Sequence, residues 1–369
     1  MARKLASGTS HAGWAGWQDL DPRLALAALT AFVTALCLGP PVIALLRRQQ
    51  ILDSSEKGDS ERLDTIHAHK RSTPTLGGVI LLAPTFLATL VWARWDSVPV
   101  WLLLGLLLAF GSLGFVDDVI KLRAGRKGLT ARRKLLVQLL VSGAIGWILW
   151  ARGGDAHVPG DPTALSTALF FPFTGGFSVD LGFLYIPLVA LVITGCSNAV
   201  NLTDGLDGLA TGCSVLVASA FVVVAVLAGS AASSAALAIP FVEGGAELAV
   251  FAAALTGAGL GFLWFNCHPA RVFMGDTGAL PLGGVLGLLA VLSKQEILLI
   301  PMAGVLVAEA LSVMLQVFSY KMWRRRIFLI APLHHHFQFK GWAETRVTVC
   351  FWIASACLAL GSLLVLRVA

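Results

Sequence analysis

Five aspartates and three consecutive histidines are the residues of this chain best suited to chemistry. Asp117 and Asp118 stand side by side in GFVDDVIKLR, Asp204 and Asp207 in NAVNLTDGLDGLA, and Asp276 in FMGDTGALPLGG. His334, His335 and His336 run together in APLHHHFQFKGW. Paired carboxylates at the end of an apolar stretch oppose the negative end of a helix dipole, at about 0.3–1 kcal/mol each, and they repel one another. A divalent cation or a lysine close by reverses that cost. Magnesium takes one or two carboxylates, keeps part of its water and bridges to substrate phosphates. Adjacent imidazoles lack the wider spacing of zinc motifs and suit phosphate positioning better.

The neighbours of these residues extend the pattern. Asn198, Asn201, Asp204 and Asp207 recur at every third position, so on helical backbone they share a face. Gly205 and Leu206 lie within that run. Capping the next helix uses one such residue, and this loop offers several without a counter-charge. Asp276, flanked by Gly275 and Thr277, also reads as an Asx turn and cap. Phe273, just before it, offers a ring for stacking on a base. In HAHKRSTPTLGG, Lys70 and Arg71 supply charge, and Thr73 and Thr75 supply hydroxyls. The GxxxxGK[ST] order of a P-loop is absent, which counts against an ATPase. Lys121, Lys127 and Lys134 extend the basic surface.

These residues must be positioned by apolar helices. The chain has 369 residues, 57% hydrophobic and 13% charged, against about 25% charged in soluble domains, and a mean hydropathy of +0.80. Runs of about 20 apolar residues cross a bilayer. Ten spans are expected, at 24–46, 76–95, 99–120, 134–151, 181–200, 208–229, 246–267, 278–293, 296–322 and 347–366. The fold class is therefore an all-α polytopic membrane protein. Of the 27 Lys and Arg residues, 20 fall in or at the edges of the connections after odd-numbered spans. Positive residues stay on the cytoplasmic side, so both termini are expected outside and every motif above faces the cytoplasm. The net charge of +6 is a topology signal; nucleic acid is not an expected partner, because no basic stretch interleaves with stacking aromatics.

Residues 1–23 read as an interfacial arm with Trp14 and Trp17, and 24–369 as one integral membrane domain. The first span runs too long for a signal peptide and leads into further spans, so it is expected to be retained. The external segment 152–180 suits a small hairpin or re-entrant piece. Pro301, Glu309, Ser312 and Gln316 predict a bent or broken ninth span. The six scattered cysteines form no CxxC pair and read as buried apolar residues. A transporter, the main rival class, places its ionisable groups near the bilayer midplane. Here only Glu309 sits deep in a span. A structural scaffold needs no Gly-spaced acids.

Together, DDVIKLR, NLTDGLDG, FMGDTGALPLGG and APLHHHFQFKGW resemble the bacterial phospho-N-acetylmuramoyl-pentapeptide-transferase family, within the polyprenyl-phosphate N-acetylhexosamine-1-phosphate transferases. The His run followed by KGW separates this branch from relatives that take other UDP-sugars, such as UDP-GlcNAc. The resemblance implies a magnesium-dependent enzyme of the bacterial cytoplasmic membrane, and a homodimer. Its reaction joins UDP-MurNAc-pentapeptide and undecaprenyl phosphate, giving lipid I and UMP, the first membrane step of peptidoglycan synthesis. It further implies Asp276 as the metal ligand, with Asp117 and Asp118 as the essential pair beside it. Asn201, Asp204, Gly205, Leu206, Asp207 and Phe273, with Lys70 and Thr75, resemble the nucleoside-binding wall. Asn198, Lys121, Lys134 and Asn266 resemble further polar residues of the cleft, and His334, His335 and His336 the family's His motif. Ser72 stands where the family usually has Gly, Leu76 replaces its usual Met, and the insert 53–65 is longer and more charged than usual.

Overall fold

The computed structural model describes residues 21–51, 73–124, 128–152, 156–157, 167–172, 174 and 177–368. Lys70, the insert 53–65 and most of the amino-terminal arm lie outside the described residues. The chain is mostly helical. Its first half contains α1 (Pro22–Arg48), α2 (Val79–Trp92), α3 (Val98–Ala124), α4 (Ala131–Arg152) and α5 (Tyr185–Thr203). The second half contains α6 (Leu209–Ala228), α7 (Ala231–Ala236), α8 (Gly245–Asn266), α9 (Gly275–Leu292), α10 (Glu296–Met302), α11 (Gly304–Trp323), α12 (Leu333–Phe339) and α13 (Glu344–Val368). Nine of the described helices are long and apolar enough to cross a membrane, which makes this a multi-pass membrane protein.

Each expected span has a helix, with two differences. The second is a helix of only 14 residues, too short alone for a full crossing at 1.5 Å per residue. The ninth is broken at Ala303 into α10 and α11. Pro301 contributes to the break, since it cannot donate a backbone hydrogen bond.

The most enclosed helix is α9, buried along nearly its whole length and packed between α3 and α5. It carries Asp276 in its first turn, so the best-shielded helix holds the central acid. Gly278, Gly283, Gly284 and Gly287 line α9, and small residues of this kind let membrane helices approach closely. A second group packs α8 against α1 and α6, with α13 against α6.

Within the segment expected to be external, β2 (Ala168–Phe170) pairs antiparallel with β3 (Ser178–Asp180). A second two-residue pairing joins β1 (Ala156–His157) to β4 (Phe241–Val242). At the start of α1, Asp21 caps the helix by accepting the Arg23 N–H at 2.9 Å, and Pro22 follows as a favoured first residue. The Arg23 guanidinium then forks onto Glu247 of α8, at 2.9 and 3.2 Å. Glu247 also accepts the Arg94 backbone N–H at 2.8 Å. One buried carboxylate thus ties α1, the end of α2 and α8 together.

Breaking this clasp leaves the Arg94 backbone N–H without its acceptor and the Arg23 guanidinium with Asp21 alone, so Glu247→Ala is expected to cost roughly 1–3 kcal/mol. Thermal unfolding in detergent checks it. The midpoint should fall for Glu247→Ala and barely move for Arg94→Ala, whose side chain pairs with Asp96 in the open.

Candidate active site

Three carboxylates and two ammonium groups meet where α3, α4 and α9 converge. Asp117, Asp118 and Lys121 leave the last turns of α3, Lys134 belongs to the first turn of α4, and Asp276 opens α9. Carboxylate oxygens of Asp117, Asp118 and Asp276 all lie within 4.8 Å of one another, and all three residues are buried. Lys134 Nζ stands 2.8 Å from Asp276 Oδ2 and 3.2 Å from Asp117 Oδ2. Lys121 Nζ stands 2.7 Å from Asp117 Oδ2, 3.1 Å from Asp276 Oδ2 and 3.3 Å from Asp118 Oδ1. Buried carboxylates of like sign cannot crowd together without compensation, and the two lysines provide it.

The three acids have different tasks. Asp118 Oδ2 accepts the Thr277 backbone N–H at 2.9 Å and the Thr277 hydroxyl at 2.8 Å, while Oδ1 faces the Asp276 N–H at 3.3 Å. It therefore satisfies the open amides that begin α9, a cap supplied from another helix. Gly275, at φ +68°, makes the turn before Asp276, and a Cβ there would strike the Asp118 carboxylate. A Cβ on Gly114 would likewise overlap the Asp276 carbonyl, so α3 approaches α9 through its own backbone. Asp117 is fully buried. Its Oδ1 accepts the Leu129 N–H at 2.5 Å, and its Oδ2 is the oxygen shared by both lysines. Asp276 meets the ammonium groups through Oδ2. This set of hard oxygen donors could hold a divalent cation, and Asp118 is already engaged with the start of α9.

The segment leading into α9 connects the acids to the other expected residues. The Phe273 N–H donates to the Pro74 carbonyl at 2.8 Å, and Gly77 and Gly78 donate back to Phe273 and Met274 at 2.8 and 2.9 Å. This pairing sets the TPTLGG segment, with Thr75, beside Gly275. Asn266 braces the same segment from within, donating to the Val272 carbonyl at 3.0 Å and accepting the Thr211 hydroxyl at 2.8 Å. At the other end of the segment, Asp207 Oδ2 accepts the Ala270 N–H at 3.1 Å and lies 3.1 Å from His268 Nδ1. The Asp207 N–H donates to Glu344 Oε1 at 2.8 Å. Asn201, Asp204 and Gly205 are partly exposed at the end of α5 and the turn after it, and Leu206 is buried there. Asn198 donates to Gln138 Oε1 at 3.0 Å and to the Thr194 carbonyl at 2.8 Å.

The His run forms the short helix α12. His334 is wholly enclosed, its ring lying against Gly205. His335 Nδ1 lies 2.8 Å from Gln338 Oε1. His336 Nδ1 accepts the Leu329 N–H at 3.1 Å, and burial, with the Lys340 charge, holds its imidazole below the usual range. The run thus borders the Asp204–Asp207 turn.

Sequence reasoning did not single out Thr277, Gln138, His268 or Glu344. Gln138 carried a faint signal, a lone amide in an apolar helix one turn beyond Lys134. Its Nε2 donates to Ser197 Oγ at 2.9 Å, and that hydroxyl donates to the Leu280 carbonyl at 2.8 Å. Thr277 reads as a turn residue until Asp118 is seen beneath it.

Asp118→Ala is expected to cost on the order of 2–4 kcal/mol, because it leaves the buried Thr277 N–H and hydroxyl unpaired. Asp276→Ala leaves that cap in place and should cost less. Paired thermal unfolding curves of the two variants test the order.

The sequence model of the family described as glycosyl transferase family 4 matches residues 100–294, which contain the three acids and both lysines. The chain is 45% identical over 346 residues to the phospho-N-acetylmuramoyl-pentapeptide-transferase of Pelobacter propionicus, covering 94% of this chain and 93% of that one. It is 46% identical over 342 residues to the proteins of the same name from Citrifermentans bemidjiense and from a Geobacter species, covering 92% of each chain. Identity at this level along nearly the whole length, together with the matched acid-bearing segment, establishes that the chain belongs to the phospho-N-acetylmuramoyl-pentapeptide-transferase family.

Proposed function

We propose that this protein transfers phospho-N-acetylmuramoyl-pentapeptide from UDP-MurNAc-pentapeptide to undecaprenyl phosphate, giving lipid I and UMP, in the bacterial cytoplasmic membrane. The observation that carries the reading is the meeting of Asp117, Asp118 and Asp276 with Lys121 and Lys134 at helix ends. Phosphoryl transfer needs positioning and charge neutralisation more than covalent help. A water-soluble diphosphate and a lipid phosphate can both reach such a cluster only where a bundle meets the membrane surface. In this reading the ends that carry the cluster face the cytoplasm, both termini lie outside, and the protein is a homodimer.

An oxygen of the lipid phosphate attacks the β-phosphorus of the UDP-sugar. The bond from that phosphorus to the bridging oxygen breaks, and the electron pair leaves with UMP. The second pKa of a phosphate monoester lies at about 6, so the nucleophile is largely ionised at neutral pH and needs no strong base. Asp117, with both oxygens engaged and no exposure, fits the task of ordering the two lysines. Lys121 and Lys134 bind the diphosphate oxygens and offset the charge that develops on the leaving group. Asp276 would hold magnesium, which when bound would supply further neutralisation of negative charge. The turn carrying Asn201, Asp204, Gly205, Leu206 and Asp207, with Phe273 and Thr75, forms the nucleoside wall, to which the motif resemblance also assigns Lys70. The His motif borders it.

The test is UMP release by purified protein in lipid nanodiscs with undecaprenyl phosphate and magnesium. Release is expected with UDP-MurNAc-pentapeptide and not with UDP-GlcNAc, and it should stop with a chelator or with Asp276→Ala. Lys134→Met should lower kcat by on the order of 10²-fold, the usual loss when one charge-stabilising donor is removed. Release with UDP-GlcNAc alone would move the protein to a sibling specificity. Release with neither sugar nucleotide, from folded protein, would overturn the reading.

A further inference from the structure

Glu309 lies in the second turn of α11, fully buried, and takes no part in the cluster of acids. Carboxylates within a membrane span are costly and are retained where they have a task. This one grips His334 twice. Oε1 accepts the His334 backbone N–H at 3.0 Å, and Oε2 lies 3.1 Å from Nδ1, close enough for an ion pair though off the line of a straight hydrogen bond. On its far side the His334 ring rests in the space that Gly205 leaves open, where a Cβ would overlap Nε2.

Gly205 belongs to the turn that carries Asp204 and Asp207. The opposite side of that turn is pinned by Glu344, which accepts the Asp207 N–H at 2.8 Å, and by the Ala270 N–H on the Asp207 carboxylate. The turn is therefore held between two supports, and one of them is His334 backed by Glu309. We infer that Glu309 is a positioning residue for nucleotide binding, holding His334 as the wedge that sets the Asp204–Asp207 turn. The inference rests on the reading of that turn as part of the nucleoside wall. Glu309 acts through His334 and does not touch substrate.

The kinetic signature is a split between KM and kcat. Glu309→Ala should raise KM for UDP-MurNAc-pentapeptide on the order of ten-fold, the effect of losing one hydrogen bond to a charged group. In the same variant, kcat and KM for undecaprenyl phosphate should change by less than about two-fold, since the lysine–aspartate cluster is left intact. Glu309→Gln keeps the volume and an acceptor for the His334 N–H, so it should restore most of the affinity. A merely structural loss would instead reduce the active fraction, seen as lower kcat at unchanged KM. Calorimetric titration with UDP alone, which needs no turnover, should weaken in parallel for Glu309→Ala.

If Glu309→Ala does not fold, Gly205→Ala carries the test, because its methyl group displaces the same ring and should raise the same KM. An unchanged KM and UDP affinity in a folded Glu309→Ala or Gly205→Ala variant overturns the inference, as does a fall in kcat alone. Absence of UMP release by the unsubstituted protein counts instead against the transferase reading, and UDP affinity then decides this one.

Discussion

The structure depends on keeping three carboxylates together in a place that water barely reaches. Asp117, Asp118 and Asp276 are buried within a few ångströms of one another, and their repulsion is offset by Lys121 and Lys134, both of which touch Asp117 and Asp276. Removing either lysine leaves an excess of buried negative charge. The cluster therefore needs cations at all times, and a divalent ion with an anionic substrate fits into a balance already close to neutral. Helix ends are the right place for it, since backbone amides and flexible ammonium groups are available there together.

This requirement explains features far from the acids. The Asp118 carboxylate caps α9 across 158 positions of sequence, so the helix that presents Asp276 cannot form its first turn properly without α3. The glycines at 114 and 275 remove the side chains that would hold the two helices apart. The burial of α9 along nearly its whole length encloses the helix that presents Asp276. At the opposite end, Glu247 joins α1, α2 and α8 and stabilises the second packing group independently of the chemistry.

Much of this was legible in the sequence, for identifiable reasons. Hydropathy located the helices because a bilayer crossing demands about 20 apolar residues, and the break near Pro301 followed from a residue that cannot donate. Acids at span ends stood out because so few charges occur elsewhere. What stayed hidden depends on partners distant in sequence. Asp118 and Thr277 give no periodic signal of their pairing. Glu309 reads only as a lone acid deep in a bent span until His334 is found against it, and Gln138 reads as an isolated amide until Asn198 and Ser197 complete its hydrogen bonds. The second helix is three residues shorter at each end than the expected span, because Leu76, Gly77 and Gly78 turn into it and Ala93 turns extended after it.

The central claim is that the lysine-bound aspartates form a divalent-cation site with Asp276 as ligand. Manganese serves as the probe, because its paramagnetic resonance signal distinguishes bound from free ion without any turnover. With the purified protein in nanodiscs and no sugar nucleotide present, the account predicts saturable manganese binding that competes with magnesium and is lost in Asp276→Ala. Manganese binding that survives Asp276→Ala unchanged would place the metal elsewhere and contradict the account.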